Sequence, residues 1–141
     1  MAVTASKSGS GYARGAGAYA RVGVESGVMS ASPHQLIVML FDGALASIRA
    51  AKLHMENGNT QEKGKSISKA LDIVNNGLRA VLDGEKGGEI AANLDALYDY
   101  VARQLLQANL HNDVEKIDEA VRVLDDIGSA WRDIGPQVNG N

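Results

Sequence analysis

A chain of 141 residues with 45% hydrophobic side chains is long enough for one domain around a single core. Aromatics are only 4%, there is no cysteine and the formal net charge is −3. Those values exclude a disulfide framework, a thiolate metal site and the basic body of a nucleic-acid binder, and they favour a core of aliphatic side chains packed helix on helix.

Residues 1–18 are rich in Gly, Ser and Ala without hydrophobic periodicity, which predicts a disordered start to a flexible tail over 1–28. The tail carries Lys7, Arg14 and Arg21 and, up to residue 24, no acid. From Asp83 to Asp133 twelve acids face five bases, so a basic tail drawn toward an acidic body is expected. Tyr19, Val22, Val24 and Val28 are too apolar for a free linker and predict a tail that either covers a groove until a client displaces it or, through Tyr19, contacts the client directly. The Gly-x-Gly in "GAGAYARVG" follows no strand and does not support a nucleotide loop.

Ser32, Pro33 and Gln35 form a helix start: an N-cap, a proline in the first turn and a capping-box partner three residues after the cap. The first helix is predicted from Pro33 to Glu56 and ends at Asn57-Gly58-Asn59. A second, Thr60 to Leu82, places Ile67, Leu71, Val74, Leu78 and Val81 on one face. After the Gly-rich break at 83–88, a third runs from Glu89 to Leu110 with Ile90, Leu94, Leu97, Val101, Leu105 and Ala108 as its core stripe. Asn112 with Glu115 reads as the start of a fourth, which presents Ile117, Ala120, Val121, Leu124, Ile127, Trp131 and Ile134 and stops at Gly135-Pro136. Short connections make successive helices antiparallel neighbours. The expected fold is all-α: an up-down-up-down four-helix bundle over 29–135, with a disordered tail at 136–141.

Chemistry is sparse in this pattern. Di-metal bundles use Glu-x-x-His, but Ala31, Ala51 and Ala108 stand three residues before His34, His54 and His111. The histidines therefore read as surface or helix-end residues. Asp42 falls near Arg49, away from the core, and the acids of the fourth helix read as a solvated face. Tyr98 and Tyr100 lack a basic platform on which to stack bases. No catalytic, metal or cofactor site is expected. No apolar run approaches the ~20 residues of a membrane span, and the N-terminus has no secretory apolar region. A cytoplasmic protein follows, with neither nucleic acid nor membrane insertion among its partners.

The first helix has more apolar surface than a core stripe needs. Leu36 to Phe41 is six apolar residues in a row. At 100° per residue, Ile37, Phe41, Ala44, Leu45, Ile48 and Met55 form the core stripe, while Leu36, Met39, Gly43, Ala46 and Ala50 gather on another side. Gly43 costs about 1 kcal/mol relative to Ala in mid-helix, so a compensating close approach is expected. Either a neighbouring helix of the bundle or a partner helix laid into a shallow groove could supply it.

The stretches "YARVGVESGVMSASPHQLIVMLFDGAL" and "GGEIAANLDALYDYVARQLLQANLHND", followed by a late tryptophan, resemble the flagellar secretion chaperone FliS family from about Tyr19 to Ile134. The family's Ser-Pro-x-x-Leu start falls on Ser32, Pro33 and Leu36, and its Leu-Tyr-Asp-Gly-Ala element on Leu40 to Ala44, with Phe41 in place of the usual Tyr. The N-terminal tyrosine matches Tyr19. The resemblance implies a cytoplasmic four-helix bundle that binds the C-terminal segment of flagellin, prevents premature polymerisation and supports delivery to the flagellar type III export gate. Residues and resemblance together give a partner-binding set of Tyr19, Val22, Leu36, Met39, Leu40, Gly43, Ala46, Ala50 and Tyr98. A regulatory or adaptor bundle with another protein client is the alternative.

Overall fold

The computed structural model describes residues 31–82 and 84–139, with side chains described for all of these but 84–86 and 136–139. Four α-helices follow one another: α1 Pro33–Glu56, α2 Thr60–Ile73, α3 Gly84–His111 and α4 Val114–Asn139, with a π-helical turn, Val74–Leu78, continuing α2. No strand occurs among the described residues.

The start of α1 is the predicted capping box. The Gln35 amide donates to Ser32 Oγ at 3.1 Å, and the Ser32 amide donates to Gln35 Oε1 at 3.0 Å. A cap of this kind is worth about 1 kcal/mol because it satisfies donors that the first turn leaves without partners. The start of α4 differs from expectation. Asp113, not Asn112, supplies the cap, its Oδ1 accepting from the Glu115 amide at 3.1 Å. Asn112 sits at φ 53 and turns the chain out of α3, after which the Asp113 amide reaches back to the Ala108 carbonyl.

Two ends also depart from their predicted form. The α ladder of α2 stops at Ile73 and loosens into the π turn, where Gly77 leaves room for Leu40 of α1: a Cβ there would lie 2.9 Å from Leu40 Cδ2. Helical backbone in α4 resumes beyond Gly135, which breaks the line at φ 11, ψ −116 in front of Pro136.

Each helix packs against two neighbours, which closes the bundle. Between α1 and α4, Phe41 lies over Gly128, whose missing Cβ would meet Phe41 Cγ at 3.2 Å. On the same seam the His34 imidazole, 8% exposed, meets the Trp131 ring at 5.5 Å between centroids. His34 Nε2 lies 2.6 Å from the Trp131 carbonyl, one of the last carbonyls before the Gly135 break. Lys52 pairs with Asp118 at 2.8 Å, and Arg132 pairs with Asp42. Between α3 and α4, Tyr100 donates to Glu119 Oε2 at 2.8 Å. Leu40, Phe41, Ala44, Ile48, Ile67, Val74, Val101, Leu105, Ile117 and Leu124 fill the centre.

Two polar clasps hold α2 to α3. At one end Arg79 donates to both carboxylate oxygens of Asp95, at 2.8 and 3.2 Å, and to Asp99 at 3.4 Å. The hydrogen bonds from Arg79 hold the Asp95 carboxyl below the usual carboxylate range. A carboxyl lowered on folding adds stability above its unfolded pKa and loses it as pH falls through the folded value. Acid titration should therefore remove this contribution below about pH 4. With Asp95 at 48% side-chain exposure the loss should stay under about 1 kcal/mol. Arg79→Met should flatten that part of the stability–pH curve; an unchanged curve would leave the pair without a role. At the other end lies Lys63, 5% exposed, whose Nζ donates to the Asn109 carbonyl at 3.1 Å and to Asn112 Oδ1 at 2.5 Å.

The predicted core stripe of α3 needs correction. Ile90 and Leu97 are 70% and 40% exposed. The inward residues are Ala91, Leu94, Tyr98, Val101, Ala102, Leu105 and Ala108. Gly88, at φ 54 and ψ −124, breaks the helix just before Ile90 and redirects its first turn.

Candidate functional site

The inward arc of α1 is wide: Leu36, Leu40, Phe41, Ala44, Leu45, Ser47, Ile48 and Ala51 are all buried. Leu36 and Leu40 were expected to face a partner, and the structure corrects this. Both are core residues, enclosed because the bundle wraps this helix on two sides, with Leu40 filling the space over Gly77. Tyr98 is corrected in the same way. Its ring is buried 6.2 Å from that of Phe41, and burial pushes its phenol well above the usual tyrosine range. None of the three offers a surface to a partner in this conformation.

The rest of the helical set stays together. Met39, Gly43 and Ala50 are half-buried and Ala46 is exposed. With Leu53, 56% exposed, they fall within about 80° of arc on the outer side of α1. Small side chains along this flank leave the helix backbone close to the surface, and Met39 supplies an adaptable apolar contact at one end. Asp42 and Arg49, both exposed, border it on the α4 side. Leu53 was absent from the sequence-based set, although its spacing of three from Ala50 continues the series. Tyr19 and Val22 lie outside the described residues.

A second apolar surface was not anticipated. Leu106 and Leu110, four residues apart on α3, are 53% and 73% exposed and share a face. The signal was available as an apolar i, i+4 pair off the main stripe.

Among the described residues no three His, Cys, Asp or Glu side chains gather where a metal ion could be held. Tyr100 and Glu119, both half-buried, form one hydrogen-bonded cluster with the exposed Arg122, in which Arg122 and Tyr100 lower the Glu119 carboxyl and Glu119 raises the Tyr100 phenol. No described helix is long and apolar enough to cross a membrane.

The fold is an all-α bundle in which α1 combines a core face with an accessible, partly apolar side. A family model described as "Flagellar protein FliS" matches residues 15–138. The chain is 56% identical over 127 residues to the Flagellar secretion chaperone FliS of Salmonella typhimurium, covering 90% of this chain and 94% of that protein. It is 51% identical over 121 residues to its Escherichia coli namesake, covering 86% and 89%. Against the Bacillus subtilis protein of that name identity is 33% over 108 residues, covering 77% and 79%. The chain belongs to the FliS family of flagellar secretion chaperones, and it is a chaperone rather than an enzyme.

Proposed function

We propose that this chain binds the C-terminal segment of flagellin in the cytoplasm, keeps the subunit from polymerising early and supports its delivery to the flagellar type III export gate. The observation that carries the reading is the match over nearly the whole chain to proteins named as flagellar secretion chaperones. The accessible flank of α1 supplies a physical means. A client segment that packs by helix association in the filament lacks its partners as a free subunit. The Met39, Gly43, Ala46, Ala50 and Leu53 flank lends it one surface along which to fold. Coupled folding of this kind buries ~1,000–3,000 Å² and gives up several kcal/mol to ordering, so the complex is tight yet releasable. Competition for the client at the export gate then completes release.

Titration calorimetry against flagellin should give one-to-one binding with a markedly negative heat-capacity change. Flagellin lacking its C-terminal segment should not bind, and full-strength binding of the truncated subunit would overturn the reading. Ala46→Glu tests the flank itself. Ala46 is exposed, so the free chain should lose only a few tenths of a kcal/mol. A carboxylate buried without a partner under a client helix should weaken binding by about tenfold or more. Unchanged affinity would place the client elsewhere on the bundle.

A further inference from the structure

Asn-Gly occurs twice among the described side chains, at Asn57-Gly58 and Asn76-Gly77; both asparagines are exposed, but their backbones and glycines are held differently. Asn57 and Gly58 are both exposed in the turn between α1 and α2. Gly58 stands at φ +72 with nothing within 4 Å of the place where a Cβ would lie. Its amide is held only by a 3.2 Å hydrogen bond to the Met55 carbonyl. Asn76, by contrast, donates its carboxamide to Asp72 and lies within the π turn. Gly77 beside it is buried under Leu40.

We propose that Asn57 is a site of spontaneous deamidation, through which the α1–α2 turn acquires a carboxylate and, in part, a longer backbone. The Gly58 amide nitrogen, having lost its proton to base, attacks Asn57 Cγ. The bond from Cγ to Nδ2 breaks, and that nitrogen leaves as ammonia with a proton from solvent, closing a succinimide. Water then adds to one of the two imide carbonyls. Opening at the former side-chain carbonyl gives aspartate; opening at the main-chain carbonyl gives isoaspartate. The sum is asparagine plus water to aspartate or isoaspartate plus ammonia, with no redox change. Glycine at 58 favours the first step because it places no side chain in the path of the attacking nitrogen.

The consequences are local and directional. Asn57 is the C-cap of α1, so the new negative charge faces the carbonyl end of the helix dipole. Isoaspartate adds one main-chain atom to a turn that otherwise needs only Asn57, Gly58 and Asn59. Leu53, the last residue of the accessible flank, donates no charge of its own but lies one helical turn from the change.

The test uses the folded full-length chain incubated at mildly alkaline pH, with peptide mapping by mass spectrometry. Methyl uptake from S-adenosylmethionine catalysed by an isoaspartyl methyltransferase counts the isoaspartate. Asn57 should convert about tenfold or more faster than Asn76, whose reaction must wait for local opening of the helix. In concentrated urea the two sites should react at similar rates, since the dipeptide chemistry is then the same. Asn57→Gln should remove the corresponding methyl uptake, and the map separates any signal from Asn139-Gly140. Equal rates at Asn57 and Asn76 in the folded chain, or an Asn57 that reacts only after unfolding, would overturn the proposal.

Discussion

Phe41→Ala should cost the bundle about 3–5 kcal/mol, the loss typical of a fully buried aromatic. Phe41 has no exposed surface and is held from two directions, by Gly128 of α4 and by the Tyr98 ring of α3. Truncation at Cβ opens a cavity on the α1–α4 seam, against position 128, which has no side chain to fill it. In a domain of this size the melting temperature should fall by more than about 10 °C. The same geometry makes a coupling test possible. Gly128→Ala gains about 1 kcal/mol of helix propensity but pushes its Cβ against the Phe41 ring. In the Phe41→Ala background that obstruction is gone, so Gly128→Ala should stabilise by about 0.5–1 kcal/mol more than it does in the parent. Denaturant melts of the four chains measure both effects. Additive changes would mean that the two positions do not share a contact.

Lys63→Glu should be nearly as damaging, at about 3–5 kcal/mol, through a different mechanism. Lys63 is almost wholly enclosed, and its ammonium is spent on the Asn109 carbonyl and the Asn112 carboxamide at the end of α3. A positive group there also suits the negative end of the helix dipole. A carboxylate in its place would meet oxygen atoms and lose its water. Lys63→Met keeps most of the stem and loses only the polar bonds, at about 1–3 kcal/mol. Hydrogen exchange should show that loss concentrated in the last turn of α3. Equal stability for Glu and Met variants would show that the site is open to solvent.

The number of helices, their order and most of their starts were legible because each rests on local chemistry: the Ser32 box, the Asn57-Gly58 stop and the apolar stripes at steps of three and four. What failed was the rotation of α3 about its axis. Leu97 and Tyr98 are adjacent, and both fit an inward stripe with Val101 and Leu105. The choice falls to Tyr98 because its ring fills the volume beside Phe41, a fact of tertiary packing that α3 alone does not contain. Leu36 and Leu40 failed for a related reason. A helix wheel separates sides, but it does not reveal how wide an arc the neighbours will cover. Asp42 was correctly placed on an exposed side of α1, yet its pairing with Arg132 joins positions far apart in the chain. The buried Lys63 carried no sequence signal, since a lysine in the first turns of a polar helix reads as solvated.

Trp131 is the one tryptophan of the chain, and its indole is tilted at 57° against the His34 imidazole. Its fluorescence therefore reports on the α1–α4 seam. A partner resting on the outer side of α1 should leave that emission largely undisturbed, whereas levering α4 off the bundle would expose the ring to water and shift its light to the red. With a client free of tryptophan, this built-in optical label distinguishes a chaperone that lends a surface from one that must open to receive its cargo.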